Sequence, residues 1–205
     1  MSDTATFAGG SPLAGAQGAT EGRVAACGDA GVTAVIRDGV GLATVMARTG
    51  ASDALTQRVR ERLGIELPQG PHRSAAAGVA FVGMGPGSWL ALAERDGDDF
   101  SARLMSELDG VASVSDQSDG YTMIRLSGAN VRDALAKLIP IDVDPRAFQV
   151  GDAASTVASH IGVTVWRLPD GPHSSPLFEV ILFRSLTRSF WHALAEAAGE
   201  YGFAG

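Results

Sequence analysis

From Val32 to the end of the chain the sequence repeats one pattern, in which two or three short apolar runs of strand length precede one amphipathic helix. Val32 to Arg37 and Leu42 to Met46 are rich in apolar and β-branched residues, and Asp38-Gly39 between them suits a tight turn, so a hairpin is expected there. A helix follows from about residue 53 to 63. Ser52 is placed to cap it, Leu55, Val59 and Leu63 fall four apart on one stripe, and Gly64 is placed to end it in a left-handed conformation. The order recurs with strands at Gly78 to Met84 and Trp89 to Ala93 around Gly85-Pro86-Gly87, then a stripe of Phe100, Leu104 and Leu108 behind Asp98 and Asp99. It recurs again with Val111 to Val114, Tyr121 to Leu126, and a helix capped by Ser127 or Asn130 that carries Val131, Leu135 and Leu138 and stops at Pro140. The last set comprises Thr156 to Ile161, Val163 to Leu168, Leu177 to Phe183 and a long helix from about Ser185 to Glu200.

Paired strands with one helix per set do not match the strand-helix-strand alternation of a doubly wound parallel sheet. The pattern predicts an α+β fold with mainly antiparallel sheets and helices packed on one face. Residues 1–22 are a mixture of Ala, Gly, Ser and Thr with little to bury and read as a flexible N-terminal arm. Residues 23–205 read as a single unit, in which the loose stretch Gly64 to Ala77 leaves room for an N-terminal lobe at 23–70.

The formal charge of −7 disfavours a phosphate backbone, so nucleic acid is not an expected partner. The single cysteine, Cys27, excludes an intrachain disulfide and any Cys-x-x-Cys metal motif, and it has no Lys, Arg or His beside it to stabilise a thiolate. No Lys or Arg precedes Arg23, and no apolar stretch there makes a signal-peptide core. The longest apolar runs are strand-sized, short of the roughly 20 residues of a membrane helix. A cytoplasmic protein without membrane contact is expected.

The chain offers little for catalysis. Phe81 to Gly87 (FVGMGPG) has neither G-x-G-x-x-G before a helix nor a G-x-x-x-x-G-K-S/T loop, and a strand follows it, so it reads as a turn. His72, His160, His173 and His192 have no partner at i+3 or i+4 that would place two imidazoles on one face. His160 ends a predicted strand, but no nucleophile elbow accompanies it. Asp116 to Gly120 (DQSDG) reads as a structural connection between strands. No catalytic, cofactor-binding or metal residue is therefore assigned to this chain.

The most informative segment is Arg184 to His192 (RSLTRSFWH). Arg184 and Arg188 lie four apart at a helix start, where the dipole disfavours cations and calls for a compensating anion. Leu186, Phe190, Leu194, Ala197 and Tyr201 follow one stripe, and Trp191 turns about 100° away from it toward a second surface.

Several segments together resemble the gamma subunit of heterotetrameric sarcosine oxidase. They are Ser11-Pro12-Leu13, Leu63 to Pro68, Gly85 to Leu90, Asp116-Gln117-Ser118, Leu126-Ser127-Gly128 through Leu135-Ala136-Lys137, Ile141-Asp142-Val143 to Phe148, and Arg184-Ser185 with Trp191. Their order and spacing span nearly the whole chain. Two departures, Pro140-Ile141 where many relatives carry a cysteine before the Asp, and Asp119 where a histidine is frequent, bear on subfamily more than on role. The resemblance implies a folate-binding aminomethyltransferase-like architecture with ferredoxin-like repeats. It implies an accessory subunit beside alpha, beta and delta partners, which hold the FAD, FMN, NAD and tetrahydrofolate and demethylate sarcosine oxidatively. On that view Arg184, Arg188, Trp191, Ser11, Pro12 and Leu13 are interface candidates. The rival readings are a tetrahydrofolate-binding module using groups such as Asp116 and Arg184, and a free-standing one-carbon transferase.

Overall fold

The computed structural model describes residues 30–94 and 99–205. Ser11, Pro12, Leu13, Cys27, Asp98 and the arm at 1–22 lie outside the described residues. Eleven strands and four α-helices follow in the order β1 (Val32–Ile36), β2 (Gly41–Ala47), α1 (Ser52–Leu63), β3 (Arg73–Ala76), β4 (Val79–Gly85), β5 (Ser88–Ala93), α2 (Phe100–Glu107), β6 (Ala112–Asp116), β7 (Tyr121–Ser127), α3 (Val131–Leu138), β8 (Ala153–Ala158), β9 (Ile161–Leu168), β10 (Leu177–Phe183), α4 (Thr187–Ala198) and β11 (Phe203–Ala204). Short 3-10 turns, Arg184–Leu186 and Gly199–Tyr201, bracket α4.

The strands make two sheets. One runs β11-β1-β7-β10-β9-β8 and the other β3-β4-β5-β2-β6, and every pairing is antiparallel except that of β1 with β11. Helices α3 and α4 pack on the outer face of the six-stranded sheet through Val131, Leu135, Phe190 and Leu194. Helices α1 and α2 do the same for the five-stranded sheet through Leu55, Val59, Phe100 and Leu104. The inner faces meet in a third core that joins Leu42, Val82, Leu90 and Leu92 to Met123, Trp166, Leu168 and Ile181. The layers are thus helix, sheet, sheet, helix, each sheet carrying its helices on one face. Because β7, β9 and β10 are covered on both faces, their sequences read as nearly continuous apolar runs, whereas the edge strand β6 alternates.

The expected hairpin at Asp38-Gly39 does not form. β1 pairs with β7 and β11 while β2 pairs with β5 and β6, so the turn, with Gly39 at φ +72°, carries the chain from one sheet to the other. Both strands turn apolar side chains toward two layers, and a turn residue pair does not specify which sheet receives the second strand. The segment Asp116 to Gly120 makes the return crossing from β6 to β7. It is bound to the start of β2, just past the first crossing, by the Gln117 amide donating to the Leu42 carbonyl (2.8 Å) and the Leu42 amide donating to Ser118 Oγ (3.1 Å).

Three smaller expectations also change. Ser52 is the first residue of α1 and caps nothing with its side chain, Ala51 being the N-cap, although Gly64 does end the helix left-handed at φ +68°. The stretch Gly64 to Ala77 is not loose: Ile65 and Leu67 are buried and β3 forms an edge strand. His160 does not end a strand, because β8 stops at Ala158 and Ser159-His160, both at positive φ, form the turn into β9.

Candidate functional site

β10 delivers its last residue, Phe183, to the surface, where it is 53% exposed and stacked on Tyr121 at 4.9 Å. The next residue, Arg184, is half-buried, and its amide donates to the Gly120 carbonyl, which ties the start of the helical segment to the β6–β7 crossing. Arg188 is exposed on the first turn of α4, while Thr187 turns inward and donates its hydroxyl to Thr122 at 2.8 Å. Trp191 is half-buried and meets the ring of Phe203 edge to face at 5.8 Å, so the aromatic that points away from the main stripe of α4 packs on β11. Arg184 is thus tied through its backbone to the β6–β7 crossing, Trp191 is held by packing on Phe203, and Arg188 is exposed.

Arg184, Ser118 and Tyr121 line a pocket of about 60 Å³ together with Arg37 and Asp38. That volume lies far below the several hundred Å³ of a pocket for a cofactor-sized ligand, so it does not fit a pterin. Asp116, the other group named for a folate contact, is engaged locally, its Oδ1 accepting the Ser118 amide at 2.9 Å. Desolvation opposes its ionisation, but hydrogen bonds from the Ser118 amide and hydroxyl, the Ser101 hydroxyl and the Gln117 amide outweigh that and hold the carboxyl below its usual range.

A larger groove, about 750 Å³, runs between α1 and the β4–β5 turn, lined by residues such as Thr56, Gln57, Arg60, Pro68, Pro86 and Trp89. Two of the segments on which the family resemblance rests meet here, since Trp89 Nε1 donates to the Pro68 carbonyl at 2.8 Å. Gly83 lets a strap, residues 65–72 leading into β3, pass close by: a Cβ there would lie 2.0 Å from the Gly70 carbonyl oxygen. A third segment, Ile141 to Phe148, is a loop of side-chain-to-amide turns in which Asp142 accepts the Asp144 amide and Asp144 accepts that of Arg146. Its end, Phe148, is buried on Phe178.

The four histidines are all exposed. Among the described residues only His72 has a side-chain partner, with Nδ1 3.4 Å from Asp152 Oδ1. No group of three or more His, Cys, Asp or Glu among the described residues is arranged to hold a metal ion, and no helix among them is long and apolar enough to cross a membrane.

The polar feature that sequence reasoning missed lies between the sheets. Glu179, 1% exposed in the middle of β10, accepts Trp166 Nε1 on Oε2 (3.0 Å) and Arg125 Nε and an Arg125 terminal nitrogen on Oε1 (3.0 and 2.6 Å). The pairing register explains this, because Arg125, Glu179 and Trp166 stand side by side on β7, β10 and β9. Arg37 approaches both Glu179 and Glu94 at 3.8 Å, and Arg125 approaches Glu94 at 3.7 Å. The signal was in the sequence: one charge of opposite sign interrupts each of two apolar strands, YTMIRLS and LFEVILF.

The sequence model of the family described as "Sarcosine oxidase, gamma subunit family" matches residues 48–200. Among curated proteins, a sarcosine oxidase subunit gamma from Corynebacterium sp. strain P-1 is 33% identical over 144 residues, covering 69% of this chain and 68% of that protein. Another from Arthrobacter sp. is 37% identical over 108 residues, 51% of this chain and 53% of the relative, so the aligned part spans about half of that protein. Among solved structures, a chain of the heterotetrameric sarcosine oxidase from Corynebacterium sp. U-96 superposes with a TM-score of 0.75 at 25% identity, over 95% of this chain and 97% of that one. The glycine cleavage system aminomethyltransferase T from Bartonella henselae gives a TM-score of 0.63 at 12% identity over 86% of this chain and 48% of that one, which shows the shared fold.

Proposed function

The chain belongs to the sarcosine oxidase gamma subunit family, and from that premise we propose that it is an accessory, non-catalytic subunit of a heterotetrameric sarcosine oxidase. In this reading alpha, beta and delta subunits are its partners in the cytoplasm. They hold FAD, FMN, NAD and tetrahydrofolate and convert sarcosine to glycine, passing the one-carbon unit to tetrahydrofolate or releasing formaldehyde. The observation that carries the reading is the superposition on a chain of a heterotetrameric sarcosine oxidase over almost the full length of both.

The chain's own groups suit a structural partner. Its polar side chains in the β6–β7 crossing and the Ile141 to Phe148 loop are spent on local amides, and the carboxylate of Glu179 is buried and paired with Arg125. The exposed Phe183 and Arg188, with the neighbouring Arg184 and Trp191, form the surface we assign to subunit contact, and Ser11-Pro12-Leu13 is assigned with them on the family resemblance. The test is co-expression with alpha, beta and delta subunits: a tagged form of this chain retains all three, and by itself it is colourless and forms no peroxide from sarcosine. Flavin retained by the chain alone, or no association with the three subunits, overturns the reading.

A further inference from the structure

At one corner between the two sheets, three guanidiniums face two carboxylates. Arg125 and Arg37 come from the six-stranded sheet and its exit turn, and Arg73, from β3 at the edge of the other sheet, lies close enough to feel the charges of Glu179, Glu94 and Arg125. Glu179 is satisfied by Trp166 and Arg125, and Glu94 is shared at 3.7 to 3.8 Å between Arg125 and Arg37. Arg73 is left over. Its guanidinium has no hydrogen bond or ion pair among the described residues, and its Nε is buried without an acceptor. Burial pushes its pKa below the ordinary arginine value, and the pull of Glu179 and Glu94 does not restore it, with Arg125 adding to the depression. A buried guanidinium nitrogen without an acceptor is costly, and among the described residues this corner sets three guanidiniums against two carboxylates.

We propose that this corner receives a carboxylate side chain from a partner subunit, bound by the fork of Arg73. The inference rests on the subunit reading above. Arg73 is half-buried with its Nε covered, and beside it 45% of the Glu94 side chain and 29% of the Arg125 side chain are accessible, so the approach for a group from another protein surface is to the terminal nitrogens of the Arg73 guanidinium. Val35, paired with Arg125 across β1 and β7 and 52% exposed, gives the incoming acidic residue an apolar flank. An arginine fork matches a carboxylate in two parallel hydrogen bonds, so the contact confers register as well as attraction.

The experiment measures binding of the full chain to the co-expressed alpha, beta and delta subunits, beside the melting temperature of the free chain. Arg73→Gln is expected to weaken binding by at least about tenfold, and to leave the free chain melting at the same temperature or higher, since it removes an unmatched charge. Arg73→Lys, which keeps the charge but loses the fork, recovers part of the binding. Wild-type affinity in Arg73→Gln overturns the proposal while the subunit reading stands. A melting temperature lowered by Arg73→Gln makes the residue an internal strut and overturns it as well. A rise in wild-type melting temperature with free glutarate, absent in Arg73→Gln, reassigns the site to a small molecule. Failure of the wild-type chain to bind the three subunits removes the subunit reading and this proposal with it.

Discussion

Glu179 and Arg125 join β10 to β7 at the centre of the six-stranded sheet, on the face turned toward the other sheet. The carboxylate accepts three nitrogens, and removing Arg125 leaves it with the Trp166 indole and a distant Arg37. Breaking a fully buried pair in this way costs about 3 to 5 kcal/mol, and the partial exposure of Arg125 brings the expected loss for Arg125→Gln to about 2 to 3 kcal/mol in urea unfolding. Arg125→Met combined with Glu179→Leu recovers most of it, because both charges are then gone. A loss in the double variant equal to that of Arg125→Gln contradicts the account. Asp116 gives the pH dependence. Its folded pKa is depressed, so its stabilisation is complete above the unfolded aspartate value near 4 and is lost as pH falls through the lower folded value. Asp116→Asn keeps an acceptor for the Ser118 amide, so it should flatten the fall of melting temperature below about pH 4. An acid profile unchanged by the substitution counts against this role.

At the scale of elements, the sequence marks the helices most clearly, because Leu55 and Val59, Phe100 and Leu104, Val131 and Leu135, and Phe190 and Leu194 each recur at four-residue spacing on a face that the structure buries. The longer apolar strands were nearly as plain, although the first strand of the last set was expected at Thr156 to Ile161 and runs Ala153–Ala158, yet strand partners were not. Asp38-Gly39 is compatible with a hairpin and with a crossing between sheets, and only the long-range pairing of β1 with β7 decides between them. β3 stayed hidden because its four residues, RSAA, carry no apolar alternation and are recruited by pairing with β4. The strap before β3 is where close backbone approach matters. Gly83→Ala would set a Cβ against the Gly70 carbonyl, for an expected loss of about 1 to 3 kcal/mol and faster hydrogen exchange in residues 65–72. Exchange there at the wild-type rate contradicts the tight passage.

For the whole molecule, two sheets back to back and capped by helices make a fold shared with an aminomethyltransferase at 12% identity, so the architecture by itself does not assign chemistry. What the sequence carried about function lay in segments such as Leu63 to Pro68 and Gly85 to Leu90, which meet in the structure at the Trp89–Pro68 hydrogen bond beside one groove. Arg125 and Glu179 were legible as lone charges in two apolar strands, but their pairing and the position of Arg73 were not, because these depend on which strands lie side by side and which face is covered. The central claim is that this chain acts by occupying a place in a larger assembly. Native mass spectrometry of the complex co-expressed with alpha, beta and delta subunits tests it most directly. The account predicts a species containing one copy of each of the four chains; a complex of the other three that forms with this chain left free in solution would contradict it.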